Sequence, residues 1–204
     1  MIPHVPDFAL ANAERKLSFV TRQIGEFLRL TRQPDTEPYW GKSQRYRFDD
    51  PLARFGVTYA AEQLEVAFAE TILHEVADFD GGAWIVPHHD IDRRWIVSYT
   101  PPARELQLLD LTGVHLKRLG LNNDVCSGSD YAFTQALSRA VHDQVPEADG
   151  IYYLSRQLNT QFAAAFFERS ALKCGAANTK LDTHSRYPAL LNMFGVEILG
   201  ARLR

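Results

Sequence analysis

Two charged residues stand among neighbours that ought to be buried. Arg47 lies in "RYRFDDP" and Glu70 in "EQLEVAFAETILHEVA". Helical spacing in the second segment puts Leu64, Ala67, Phe68, Thr71 and Ile72 on one stripe. Val66, Ala69, Leu73 and Ala77 form a second apolar surface, and Glu70 falls inside it. An ionised carboxylate is costly to desolvate unless it is paired or lines a polar cleft. Glu70 therefore needs a partner. Two arrangements supply one: a structural salt bridge to an arginine such as Arg47, or a ligand site that both residues line. Glu62, Glu65 and Glu75 lack such surroundings and read as solvated charges.

Other reactive residue types carry weaker patterns. Residues 88–90, "HHD", read as a surface loop, because adjacent histidines on a strand point to opposite faces and chelate poorly. His74 and Glu75 do not form HExxH, and Cys126 and Cys174 have no CxxC spacing. No metal ligand set is expected. "CSGSD" is neither a Walker loop nor a nucleophile elbow, and GxGxxG is absent. Any dinucleotide bound here is held without a Rossmann fingerprint.

The elements that must position these residues follow from periodicity. Leu17, Val20, Ile24 and Leu28 recur at helical spacing and predict a helix within residues 9–30. "TRQPDTEPYWGKSQ" is a loop. "RYRF" predicts a short strand with Arg45 and Arg47 on one face and Tyr46 and Phe48 on the other, closed by a turn at "DDP". Residues 56–61 predict a strand and residues 62–77 the helix that carries Glu70. "AWIVP", "RRWIVSY" and "LQLLDL" are β-rich and fit a meander. Residues 131–145 predict a helix and residues 149–155 a strand; "QFAAAFFE" fits a strand or a buried helix equally. Strands and helices mix without regular βαβ alternation, which favours an α+β fold.

Composition bounds the function. The chain has 204 residues, 46% of them hydrophobic, with 12 Phe, eight Tyr and three Trp, enough for one compact domain. A net charge of −3 and a pI near 6.2 argue against direct nucleic-acid binding. No apolar run approaches the roughly 20 residues of a membrane span. The first residues lack the pattern of a signal peptide, and two cysteines are too few for a disulfide scaffold. A reduced, cytoplasmic protein is expected.

Three segments taken together, "RYRFDDP", "FGVTYAAEQLEVAFAETI" and "DGIYYLSRQ", resemble the RES family. "LLDLTG" and "FFERSA" resemble its connecting segments, and the resemblance spans about residues 27–197. It implies an ADP-ribosyltransferase-like fold, a mixed or antiparallel β-sheet core with flanking helices. Residues 1–26 would then be an N-terminal helical extension and residues 27–204 the RES domain. That extension has three available roles: homo-oligomerisation, docking of a partner, or covering the sheet.

By the same resemblance, Arg47, Glu70 and Ser155 are the arginine, glutamate and serine that name the family. Tyr59 matches its strand tyrosine, and Arg29 in "FLRL" an upstream arginine; Arg45 competes with Arg47. RES proteins are generally toxins of bacterial toxin–antitoxin pairs. They act on NAD+ as substrate and are held by a helical antitoxin of the Xre type. The resemblance thus implies NAD+ cleavage by water or phosphate, with no prosthetic group. Its alternatives are ADP-ribosylation of a protein and a non-catalytic NAD-binding module. In that chemistry Arg47 and Arg29 offer planar forks to diphosphate or ribose oxygens. Tyr59 stacks or hydrogen-bonds, Glu70 places negative charge near the reacting carbon, and Ser155 positions Glu70 or the ribose.

Overall fold

The computed structural model describes residues 4–22, 27–100, 104–175 and 178–200. Its strands are β1 (Phe19–Arg22), β2 (Leu28–Thr31), β3 (Val57–Ala61), β4 (Asp78–Asp80), β5 (Ala83–Pro87) and β6 (Trp95–Thr100). They continue with β7 (Leu106–Leu111), β8 (Gly150–Leu154), β9 (Phe162–Phe167), β10 (Lys173–Cys174), β11 (Thr179–Lys180) and β12 (Val196–Leu199). The helices are α1 (Phe8–Ala13), α2 (Leu64–Phe68), α3 (His88–Asp92), α4 (Gly113–Arg118), α5 (Asp124–Ser127), α6 (Ala132–Gln144) and α7 (Tyr187–Phe194).

One large sheet runs β1-β7-β8-β9-β3-β2-β6-β10, with β11 also on β6. β7 and β8 pair in parallel; the other pairs of this sheet are antiparallel. A small second sheet runs β12-β5-β4. The fold is α+β, with a mostly antiparallel sheet and flanking helices, as predicted.

The large sheet is buried on both faces. Val57, Tyr59, Ala61, Ile151, Tyr153, Ala163, Ala165 and Phe167 join Leu64, Phe68, Leu137 and Val141 in one core. The alternate residues Ala60, Tyr152, Ala164 and Phe166 join Phe27, Val97 and Tyr99 in another. Period-2 alternation delivers both sets from the same strands. This resolves "QFAAAFFE" as β9, a central strand that is apolar on both faces. Gly150 is required at β8 because a Cβ there would collide with the Ala165 carbonyl of β9.

Four sequence expectations differ from the structure. Only Phe8–Ala13 of the N-terminal segment is helical, capped by Asp7, whose Oδ1 accepts from the Leu10 N–H at 2.9 Å. The rest gives β1 and β2, because pairing with β7 and β6 overrides helical spacing in "FVT" and "LRLT". Ile24, the boundary at residue 26 and residues 201–204 lie outside the described residues. α1 buries Phe8 completely and meets α6 where the Phe8 N–H donates to Gln144 Oε1 at 2.8 Å.

Next, β5, β6 and β7 do not form a meander. β5 joins β4 and β12, β6 joins β2, and β7 lies between β1 and β8. "HHD" begins the short helix α3 rather than a loop, and its Asp90 accepts from Arg32 Nη2 at 2.6 Å. Finally, "RYRF" is a turn. Asp49 Oδ2 accepts from the Arg45 and Tyr46 N–H groups and from Ser43 Oγ, curling the segment so that Arg47 and Phe48 are both buried. Among the described residues no helix is long and apolar enough to cross a membrane.

Candidate active site

β2 and β3 pair only at Leu28↔Ala61. Where they part, both line a cavity of about 410 Å3, within the roughly 300–1,000 Å3 usual for small-molecule sites. Arg29, Arg47, Tyr59 and Glu70 all line it. Ser155, 1% exposed, stands behind Glu70. The structure therefore gathers around one concavity five residues whose outermost members, Arg29 and Ser155, stand 126 positions apart in sequence. Arg45 is exposed and does not line the cavity, so geometry separates it from Arg47.

Glu70 stands on an unusual turn. α2 continues beyond Phe68 as a π-helical segment, Ala69–Leu73, in which the His74 N–H donates to the Ala69 carbonyl at 3.0 Å. Such wide turns recur at functional sites, since they re-aim side chains out of the helical register. Here Val66, Ala67, Phe68, Ala69, Ile72 and Leu73 are buried, while Glu70 turns to the cavity.

Its carboxylate is fixed by neutral donors. Ser155 Oγ donates to Glu70 Oε1 at 2.5 Å, and the Gln157 N–H reaches the same oxygen at 3.5 Å. Ser155 Oγ in turn accepts from the N–H groups of Gln157 at 3.2 Å and Leu158 at 3.1 Å. Among the described residues no cation forms an ion pair with Glu70. The structural salt bridge with Arg47 is not formed. Arg47 instead donates from Nη1 to the Val125 carbonyl at 3.2 Å and lies over the Tyr131 ring, 4.7 Å from its centre. Carboxylate and guanidinium thus share the cavity without neutralising each other.

Tyr59 braces the wall. Its hydroxyl donates to Asp49 Oδ1 at 3.0 Å and accepts from the Phe48 N–H at 2.9 Å. Burial, and then the Asp49 carboxylate, push the phenol well above its ordinary range, so it stays protonated. Arg29 spans the gap between the parted strands. Nη1 donates to the Tyr59 carbonyl at 2.9 Å and Nε to Glu37 Oε1 at 3.1 Å, while Tyr99 donates to Glu37 Oε2 at 3.0 Å. Burial alone would raise the Glu37 carboxyl; the Arg29 guanidinium, the Tyr39 N–H and the Thr31 and Tyr99 hydroxyls outweigh it and hold the group below its usual range.

Sequence reasoning missed several residues of this cavity. Tyr46, Tyr131, Tyr153, Arg94, Arg156 and Gln157 also line it. Glu37 lines it as well, and Asp49 supports it from behind through Tyr59. The only sequence signal for Asp49 was "DDP", which reads equally well as an ordinary turn. The glutamates taken as solvated have partners: Glu65 pairs with Arg186, Glu62 accepts from Tyr152 at 3.0 Å, and Glu75 lies 4.0 Å from Arg94. Among the described residues no group of His, Cys, Asp or Glu is placed to hold a metal ion.

The architecture has a counterpart among solved structures. It is similar to a chain from the crystal structure of the M. tuberculosis MbcT–MbcA toxin–antitoxin complex, with a TM-score of 0.59 and 16% sequence identity. The likeness covers 94% of this chain and 98% of that one. No curated protein matches the sequence. Residues 26–189 match the RES domain, the greater part of the chain including every residue placed around the cavity above, and the protein belongs to the RES-domain family.

Proposed function

We propose that this protein is an NAD+-cleaving toxin of a toxin–antitoxin pair. The observation that carries the reading is Glu70: a carboxylate fixed by Ser155, without a cation partner among the described residues, on a cavity shared with Arg29 and Arg47. Cleavage breaks the bond between ribose C1′ and the nicotinamide nitrogen. The bonding pair goes to the nitrogen, which leaves as neutral nicotinamide, and positive charge develops on the ribose as in glycoside hydrolysis. A fixed, uncompensated carboxylate favours that charge without reorganising. An oxygen nucleophile then bonds to C1′ and gives up its proton.

The nucleophile in this reading is water or phosphate. Membership of the RES family supports the substrate, and the neighbour's toxin–antitoxin complex supports a protein partner, here an Xre-type helical antitoxin. Incubating the purified protein with labelled NAD+ tests the chemistry. Loss of NAD+ with release of ADP-ribose, or of its phosphate, is expected. Label carried onto protein would instead identify an ADP-ribosyltransferase, and binding without turnover a non-catalytic module. In cells, expression without an antitoxin is expected to lower NAD+ and arrest growth, and Glu70→Gln to abolish both effects.

A further inference from the structure

Arg94 lines the same cavity but is not used by the chemistry above. It lies between α3 and β6, beside Trp95, which pairs with Thr31 of β2. Its side chain is only 6% exposed. Neither Nε nor Nη2 has a hydrogen-bond acceptor. The Glu75 carboxylate, at 4.0 Å from Nη2, is beyond hydrogen-bonding distance. Burial, and then the neighbouring Arg32 guanidinium, lower the Arg94 pKa against the opposing pull of Glu75 and Asp90.

Arg156 also lines the cavity but is exposed, whereas the remaining arginines of the cavity are already engaged. Arg29 is engaged by Glu37 and the Tyr59 carbonyl, Arg32 by Asp90, and Arg47 by the Val125 carbonyl and the Tyr131 ring. The forks that sequence reasoning offered to a diphosphate already hold protein groups. Arg94 has a planar edge, Nε and Nη2, whose parallel N–H bonds suit two phosphoryl oxygens. A buried guanidinium with unmet donors is unfavourable unless an anion completes it.

We propose that Arg94 is the phosphoryl anchor of the cavity, its guanidinium turning on its flexible stem to grip the diphosphate of a bound dinucleotide. This rests on the reading of the cavity as a dinucleotide site. Arg32 adds charge beside it, and Arg29 holds the two strands rather than the ligand.

Calorimetry with ADP-ribose, adenosine and inorganic phosphate tests this on the wild type, Arg94→Met and Arg94→Lys. Arg94→Met is expected to weaken ADP-ribose binding by about 10–100-fold, the loss of charge-assisted hydrogen bonds, and to leave adenosine binding within about twofold, since adenosine makes none of those bonds. Arg94→Lys, which keeps the charge and loses the fork, is expected to fall between. Phosphate is expected to compete with ADP-ribose on the wild type and not on Arg94→Met. Equal ADP-ribose affinity in wild type and Arg94→Met overturns the role of Arg94 and leaves the dinucleotide reading standing. No ADP-ribose binding to the wild type overturns both. Phosphate binding more tightly than ADP-ribose would mean a site for a free anion and overturn the proposal. Arg94→Met removes a buried cation with two unmet donors and only a long ion pair to Glu75, and is expected to melt near the wild type. Should it fail to fold, Arg94→Lys decides: undiminished ADP-ribose affinity overturns the proposal, and a loss confined to phosphate-bearing ligands upholds it.

Discussion

Ser155 Oγ donates to Glu70 Oε1 at 2.5 Å while accepting two backbone N–H bonds from Gln157 and Leu158. The hydroxyl is thereby saturated, and its proton is committed to the carboxylate. Glu70 is held by a strand end and a loop, not by a countercharge. Removing its charge therefore leaves no buried cation behind.

That separates catalysis from folding. Glu70→Gln keeps the Oε1 acceptor for Ser155 and discards only the charge. Turnover of NAD+ is expected to fall by about 10²–10³-fold, the usual loss for one preorganised electrostatic group. The melting temperature is expected to stay near that of the wild type. Turnover and thermal melts on the same preparations check both. A strongly destabilised variant whose folded fraction turns over normally would assign Glu70 to the scaffold.

Ser155→Ala should behave differently. It strands the Leu158 N–H, leaves the Gln157 N–H only its long contact with Glu70 Oε1, and loosens the Glu70 carboxylate. A stability loss of about 1–3 kcal/mol is expected from the unmet donor, together with slower turnover. If Ser155 acts through Glu70, the double variant loses little more activity than Glu70→Gln alone. Losses that add in full would give Ser155 a separate contact with substrate.

Much of this was legible because burial and periodicity coincide. β3, β8 and α6 alternate or repeat cleanly, and Glu70 stood out because its helical neighbours are apolar. Arg47 stood out beside Phe48. The N-terminal strands were not legible, since "KLSFVTRQI" satisfies a helical period and only pairing with β7 decides otherwise. The π-helical turn at Ala69–Leu73 leaves no mark on spacing. Ser155, Tyr59 and Arg29 were reached only through family resemblance. Glu37 and Arg94 were missed because tertiary packing, which spacing does not report, buries them, and Asp49 because its own turn and Tyr59 engage a carboxylate that reads as an ordinary turn residue.

Tyr59→Phe tests the wall of the cavity. It keeps the ring and removes the hydroxyl that joins Asp49 to the Phe48 N–H. Asp49 is fully buried, so the unmet groups are expected to cost about 1–3 kcal/mol. The turn that carries Arg47 loosens, and KM for NAD+ is expected to rise more than kcat falls. A variant as stable as wild type, with kcat alone reduced, would place the hydroxyl in the chemistry instead.

The Arg29–Glu37 pair predicts how stability depends on pH. Glu37 is held below its ordinary value of 4.5, as burial, which would raise it, is outweighed by Arg29 and the surrounding donors. A depressed carboxyl binds its proton less readily folded than unfolded. Its contribution is therefore complete above about 4.5 and is lost as pH falls through the lower, folded value. Arg29 stays charged throughout, its pKa held up by Tyr99 and Glu37 against burial. Glu37→Gln removes the titrating partner and leaves Arg29, which is 24% exposed in its side chain, uncompensated. At neutral pH the variant is expected to be less stable, toward the lower end of the roughly 3–5 kcal/mol for breaking a buried pair, because water reaches the arginine. Below about 4.5 the wild type loses what the variant never had, so the two curves converge. Denaturant unfolding of both proteins from pH 7 to pH 3 measures the gap. A gap that stays constant as the solution is acidified would mean that Glu37 is not the ionised partner of Arg29, and that the bridge between β2 and β3 is held by the Tyr59 carbonyl alone.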